Sequence, residues 1–257
     1  MKKTKKPDFL GLILPVGVIL AWYLVCETKS VPAYILPPPQ KVFGFLADFA
    51  IGPPNETAYS GLLLQHVLSS TARVATGFLT AAALGLPLGY LSGRVQCVYR
   101  VINPFIMLIR SIPGIAWLPV AIVWFGVGES NTLFLISLAA FFPIYMNTAH
   151  SAHEIDDKYI SVARVFGATR PQMFRYVIFP LSFSGVTVGL RLGLGISWAY
   201  LVLGELTGVN IGIGAVMSDG RMLGQTHIII VCMGIIAVLS IVTDILFKMA
   251  CRIMREA

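Results

Sequence analysis

Long apolar runs separated by short polar stretches organise this chain. A hydrocarbon core about 30 Å thick takes roughly twenty apolar residues of helix to cross. Six runs approach that length: residues 9–26, 74–93, 101–127, 131–149, 181–206 and 227–247. Arg110 interrupts the third and Arg191 the fifth. A proline-rich stretch with Pro37-Pro38-Pro39 parts the first run from the second, and residues 40–50 are patterned as an amphipathic surface helix. The pattern predicts an all-α polytopic membrane bundle of six transmembrane helices. No sequence repeat of the inverted-repeat carrier type is present.

The polar interval at residues 154–180 departs from this scheme. It reads E-I-D-D-K-Y-I-S-V-A-R-V-F-G-A-T-R-P-Q-M-F-R-Y-V-I-F-P. Asp156 and Asp157 suit a helix start, where carboxylates meet free N–H groups and the positive dipole end. Tyr159, Val162, Ala163 and Phe166 fall at i, i+3, i+4 and i+7, one apolar face, while Lys158, Ser161 and Arg164 lie off it. Gly167 stops the helix. Thr169 and Gln172 have capping-box spacing with Pro171 in the first turn, which predicts a second short helix with Met173, Phe174, Val177 and Ile178 on its apolar side. Pro180 is expected to break the chain before the next span. Two short helices bent about a glycine are too polar to span and too patterned for a linker. They predict a rigid docking surface.

Composition supports the membrane class. The 257 residues are 56% hydrophobic and 12% charged, with mean hydropathy +0.80. An ordinary soluble domain carries roughly twice that charged fraction. The four cysteines, Cys26, Cys97, Cys232 and Cys251, have no C-x-x-C spacing and imply neither a disulfide framework nor a metal site. The basic start followed by an apolar run mimics a secretory signal, and Leu24-Val25-Cys26 a lipoprotein box. No small-x-small site follows, so the run is read as the first span.

Basic residues set the orientation. With the N-terminus inside, the inner segments hold Lys2, Lys3, Lys5, Lys6, Arg94, Arg100, Lys158, Arg164, Arg170, Arg175, Lys248, Arg252 and Arg255, whereas the outer ones hold Lys29, Lys41, Arg73 and Arg221. The positive-inside bias predicts N-in, C-in and places residues 154–180 in the cytoplasm. It also explains the net charge of +7 without nucleic-acid binding.

No G-x-x-x-x-G-K-[ST] loop occurs, so any ATP-driven work requires a partner that carries one. His150, His153 and Glu154 form H-x-x-H-E, which is not the zinc-protease order and fits a polar membrane boundary. Arg110 and Arg191 each lie roughly 15 Å inside the cytoplasmic edge at 1.5 Å per residue. No acidic residue shares that depth in the predicted spans. Asp244 falls near the inner end of the last, and Glu205 near the outer end of the fifth. An intramembrane arginine faces a polar path or a partner group. Two roles stay open: gripping an oxyanion with paired hydrogen bonds, or bracing carbonyls freed near Pro113 and between Gly189 and Gly195. Trp198 and Glu205 join the candidate path residues, packing being the alternative for Trp198. Small and bent positions (Gly85, Pro87, Gly89, Pro113, Pro119, Pro143, Gly189, Gly193, Gly195) suit close helix contact in a bundle that rocks.

The interval at 154–180 resembles the cytoplasmic "EAA" loop of ABC-importer permeases: E-A-A, three residues, Gly, then I-x-L-P. Here Ser161-Val162-Ala163, Gly167 and Val177-Ile178-Phe179-Pro180 align with it, Ser161 replacing the Glu and Val162 the first Ala. Other segments resemble the nitrate, taurine, sulfonate and bicarbonate branch. They are Asn103-Pro104-Phe105, Arg110-Ser111-Ile112-Pro113, Ala116-Trp117-Leu118-Pro119, Trp124-Phe125-Gly126-Val127-Gly128, Gly189-Leu190-Arg191 with Trp198, and Gly204-Glu205-Leu206. The resemblance spans about residues 60–250 of a single permease domain. It implies a type I importer permease in the bacterial inner membrane, working as a homodimer with cytoplasmic ABC ATPases and an extracytoplasmic binding protein. The ATPases would dock on Tyr159, Ser161, Val162, Ala163, Arg164, Phe166, Gly167, Ala168 and Pro180, and would use ATP and Mg. This chain would bind no cofactor, catalyse no covalent step, and pass a small anion. The same branch is similar to permeases for thiamine-precursor pyrimidines and riboflavin. Rival classes are a self-sufficient channel or ion-coupled carrier, for which coupling carboxylates are missing, and a membrane enzyme, for which no nucleophile–base or metal set is found.

Overall fold

The computed structural model describes residues 10–28, 31–53 and 57–256. The basic residues ahead of Leu10, Lys29 and the expected start of the first span at Phe9 lie outside these. The helices are α1 (Leu10–Glu27), α2 (Pro39–Ile51), α3 (Leu63–Arg94), α4 (Gln96–Arg110), α5 (Trp117–Phe125), α6 (Glu129–His153), α7 (Asp157–Val165), α8 (Arg170–Met173), α9 (Phe179–Glu205), α10 (Ile213–Met222) and α11 (Thr226–Glu256). No strand occurs among the described residues.

Four helical stretches are long and apolar enough to span: Leu63–Arg94, Glu129–His153, Arg170–Glu205 and Thr226–Met254. The third predicted span is not straight. α4 and the turn-plus-helix Gly114–Phe125 form a pair bent by 82°. Pro113 causes the break, because its ring disfavours helical backbone at Ile112; a short 3₁₀ turn, Gly114–Ala116, restarts the chain. Counted as one span, the pair brings the number to five, and α1 adds a shorter apolar helix.

The described residues form two compact units, 1–65 with 216–235, and 66–215 with 236–257. In the first, α2 occupies the stretch expected to be an amphipathic surface helix and buries Val42 and Phe49. Its Asp48 carboxylate accepts from the hydroxyls of Ser60 at 2.7 Å and Thr57 at 2.9 Å. Phe45 stacks on Phe49, and the Tyr59 hydroxyl donates to Asp219 at 2.7 Å. Burial, then the Asp219 hydrogen bond, pushes the Tyr59 phenol above its usual pKa. Trp22 donates its indole N–H to the Pro37 carbonyl at 3.1 Å.

The second unit has its core among α3, α6, α9 and the later part of α11. Val74, Phe78, Ile136, Ile144, Leu194, Trp198 and Leu201 pack there. Missing side chains let α6 approach both neighbours. A Cβ at Gly77 would lie 2.5 Å from Ile136, and one at Gly89 2.7 Å from Thr148. On the α9 side, a Cβ at Gly189 would lie 2.7 Å from Asn147 and one at Gly204 2.6 Å from Thr132. These glycines are thus the price of close helix contact in lipid, where apolar burial drives little association. Gly195 does not join them; nothing lies within 4 Å of its added Cβ.

Pro180 does not break the chain. The segment Phe174–Ile178 is a π turn that runs directly into α9. The Phe179 amide bonds to the Phe174 carbonyl, five residues back. The wider turn carries the helix past a residue that has no amide of its own. The second half of the polar interval and the following span are therefore one helical rod, Arg170–Glu205.

Candidate docking groove and translocation cavity

α7 starts and stops as its sequence requires. The Asp156 carboxylate accepts from the Lys158 amide at 2.9 Å. At the other end the Ala168 amide donates to the Ala163 carbonyl at 3.0 Å and the Gly167 amide to the Arg164 carbonyl at 2.9 Å. This pair is a Schellman motif, with Gly167 at φ +75°. The Ala163–Gly167 spacing therefore has a physical origin: it fixes where the helix ends and how the chain turns. Beyond it, Gln172 Oε1 accepts from the Thr169 amide and hydroxyl, both at 2.8 Å, and starts α8.

The apolar face of α7 is left open. Tyr159 is 58% exposed, Val162 55% and Phe166 85%. Tyr159, Val162, Ala163 and Pro180 line a groove of about 790 Å³ together with Asp156, Lys158, Tyr176, Val177 and Leu181. Ser161, Arg164 and Phe166 are exposed beside it, and Gly167 and Ala168 form the turn. Tyr176 was not singled out by sequence reasoning; its place on the π turn brings it to the groove. Contiguous exposed apolar surface with a charged rim suits contact with a protein partner or with the membrane surface.

Arg94, read from sequence only as an inner-side charge, ties this loop to the bundle. From the last turn of α3 it donates to the carbonyl of Ala152 at 3.2 Å and to Asp157 at 3.3 Å. One guanidinium thus bridges the end of α6 and the start of α7. The Tyr90 hydroxyl shares a hydrogen bond with Ser182 at 3.0 Å, and the Tyr90 ring meets Phe174 edge-on. His150 and Glu154 form an exposed pair at 3.3 Å, and His153 stacks on Tyr99. No metal-holding group of His, Cys, Asp or Glu occurs among the described residues.

The four candidate path residues separate. Arg191 does have a carboxylate partner: Nε donates to Asp244 Oδ1 at 2.8 Å and Nη2 to Oδ2 at 2.9 Å. The expectation that no acid shares its depth is corrected, since counting residues from a helix end ignores how α9 and α11 are tilted and offset. Trp198, 2% exposed, packs in the core and donates its indole N–H to Thr243 at 3.0 Å. Glu205 is fully buried and holds a network that sequence reasoning missed. It accepts from Arg73 at 2.7 Å, from the Ser70 hydroxyl at 2.8 Å and from the Gly214 amide at 2.7 Å. Arg73 also reaches Glu129 at 3.3 Å. A carboxylate that accepts from the free Gly214 amide at the start of α10 is a helix cap supplied from another element.

Arg110 alone faces open space. It lines a cavity of about 510 Å³ with Pro113, Gly114, Trp117, Asn147 and Tyr200 at the α4–α5 bend, walled by Leu138, Phe142, Leu192 and Ile196. Its guanidinium lies against the Met146 sulfur and has no carboxylate partner among the described residues.

A membrane rod that ends in an open groove, beside a bent span with a cavity, matches a known family. The model described as "Binding-protein-dependent transport system inner membrane component" matches residues 85–255. The chain belongs to that family. It is a permease subunit of the ABC-importer type, a multi-pass inner-membrane protein whose family works with an ATPase and a substrate-binding protein. It is 36% identical to the putative aliphatic sulfonates transport permease protein SsuC of Bacillus subtilis, over 91% of this chain and 82% of that protein. The taurine transport system permease protein TauC of Escherichia coli is 31% identical, over 89% and 82% respectively. The nitrate import permease protein NrtB of Synechocystis is 30% identical, over 91% and 86%. Among solved structures, an inward-facing MetNI methionine ABC transporter chain aligns with a TM-score of 0.62 at 22% identity, covering 76% of this chain and 95% of that one. That likeness shows a shared fold.

Proposed function

We propose that this permease carries a small anion inward, driven by ATP hydrolysis in partner subunits seated in the α7–α9 groove. The observation that carries the reading is the junction itself. The exposed apolar face of α7, the fixed turn at Gly167 and the unbroken rod Arg170–Glu205 make a surface that passes movement into the membrane without slack. The relatives named for sulfonates, taurine and nitrate support an anionic cargo. Two copies would form the path, with both termini and α7 in the cytoplasm, as the basic residues favour. ATP and Mg would belong to the partner, since the chain has no phosphate loop.

Mild-detergent purification of the tagged chain tests this. Co-elution of a phosphate-loop protein in equal stoichiometry, with ATP-dependent uptake after reconstitution, is the expected result. A chain that purifies alone and moves solute in liposomes without ATP would overturn it.

A further inference from the structure

Two separate cavities lie along the seam between α4 and α6. The deeper one, about 510 Å³ at the α4–α5 bend, is lined by Arg110, Leu138, Phe142 and Asn147 among others. The second, about 210 Å³, lies towards the start of α4 and the end of α6, between Tyr99, Asn103, Met107, His150 and His153. Both follow one stripe on each helix. Asn103, Met107 and Arg110 stand at i, i+4 and i+7 of α4, and Phe142, Met146 and Ala149 have the same spacing on α6. Among the described residues Met146 is the one side chain that lines both spaces. Its contact there is a weak one. Arg110 Nη1 donates to the Met146 Sδ at 2.6 Å. A thioether is a poor acceptor, so this contact breaks far more easily than a carboxylate pair such as Arg191–Asp244. The Met146 side chain is half-buried, unbranched and turns about three bonds. The helices behind it are packed, Ile106 of α4 against Tyr145 and Ala149 of α6. A swing of the Met146 side chain therefore joins the two spaces without parting the backbones.

We infer that Met146 is a gate between the two cavities and that Arg110 is its latch. With the guanidinium on the sulfur, the side chain closes the deeper cavity off. When that contact breaks, the two spaces become one passage along the α4–α6 seam, from the α4–α5 bend to the cytoplasmic edge. This role rests on the importer reading, which makes the passage the inner half of the path.

Thiol labelling of the ATPase-bound transporter tests the gate. The cysteines that are not buried, Cys26 and Cys97, are first replaced by alanine. Leu138→Cys then places a thiol in the deeper cavity, and Asn103→Cys one in the cavity at the edge. Membrane vesicles of both orientations are treated with sulfonatoethyl methanethiosulfonate, an anion that does not cross lipid. From the cytoplasmic face, Met146→Ala should speed labelling at position 138 about tenfold or more, and Met146→Phe should slow it. Neither should change the rate at position 103. Arg110→Gln should also speed labelling at 138. Removing that positive charge weakens attraction for the reagent, so a faster rate separates a latch from a field effect. Equal rates at 138 with and without Met146→Ala, or the same acceleration at both thiols, would overturn the gate. Unchanged or slower labelling in Arg110→Gln would overturn the latch, and a thiol at 103 reached only from the other face would overturn a cytoplasmic exit. Each variant is checked for ATPase co-elution, which reports folding. ATP-driven uptake that survives a failed gate leaves the importer reading standing. A wild-type chain with no ATPase bound and no ATP-driven uptake, yet with labelling that depends on Met146, sinks that reading alone.

Discussion

Arg191 on α9 and Asp244 on α11 form a two-point ion pair, 2.8 and 2.9 Å, between residues 53 apart in sequence. The pair neutralises a charge that would otherwise be costly in hydrocarbon. Both carboxylate oxygens of Asp244 are engaged, so the pair ties α9 to α11.

Charge neutralisation tests that pairing. Arg191→Gln or Asp244→Asn alone should lower the melting temperature of the detergent-solubilised protein, because each leaves one charge unmatched. The double neutral variant should regain most of the loss. A double variant no better than its worse parent would contradict the pairing.

Glu205 has a comparable position at deeper burial. Glu205→Gln leaves Arg73 without its fully buried partner and is expected to cost about 3 kcal/mol of stability, in the range for breaking one side of a buried pair. Expression in the membrane and thermal stability would both fall. Normal stability would show that the Ser70, Gly214 and Glu129 contacts do not depend on this charge.

The turn at Gly167 makes a graded series. Its φ of +75° is strained for any residue with a Cβ by roughly 1–2 kcal/mol, yet nothing lies within 4 Å of the added atom. Backbone strain is therefore the whole effect. Asn should be tolerated best, Ala less and Val least. ATPase co-elution and substrate-stimulated ATPase activity should fall in that order while membrane insertion persists. Full coupling by Gly167→Val would count against a fixed turn.

Arg94 separates assembly from transmission. Arg94→Gln removes the links to the Ala152 carbonyl and Asp157 but leaves the groove residues in place. ATPase binding should remain near wild type while uptake per ATP hydrolysed drops several-fold, with Arg94→Lys partly restoring it. Equal loss of binding and uptake would assign Arg94 to folding alone.

The spans at α6, α9 and α11 were legible because each is a long apolar run, and α7 because caps and a glycine bracket one amphipathic turn set. The apolar run starts at 74, although α3 begins at Leu63. His66, Ser70 and Arg73 look like loop residues until their partners, the Gly212 carbonyl and Glu205, are in place. α10 escaped notice for the same reason, its start being capped from α9. Pro180 misled because a local rule against proline was offset by the π turn before it. The Arg191–Asp244 pair depends on helix offset, which residue counting along one strand of sequence cannot supply.

The most direct test places a photo-crosslinking amino acid at Phe166, beside the groove, and at Leu246, on the exposed side of α11. Light-dependent capture of a phosphate-loop ATPase from position 166, and none from 246, is expected in native membranes. Capture of lipid alone at both positions would contradict the docking groove and, with it, the proposed route of ATP energy into this permease.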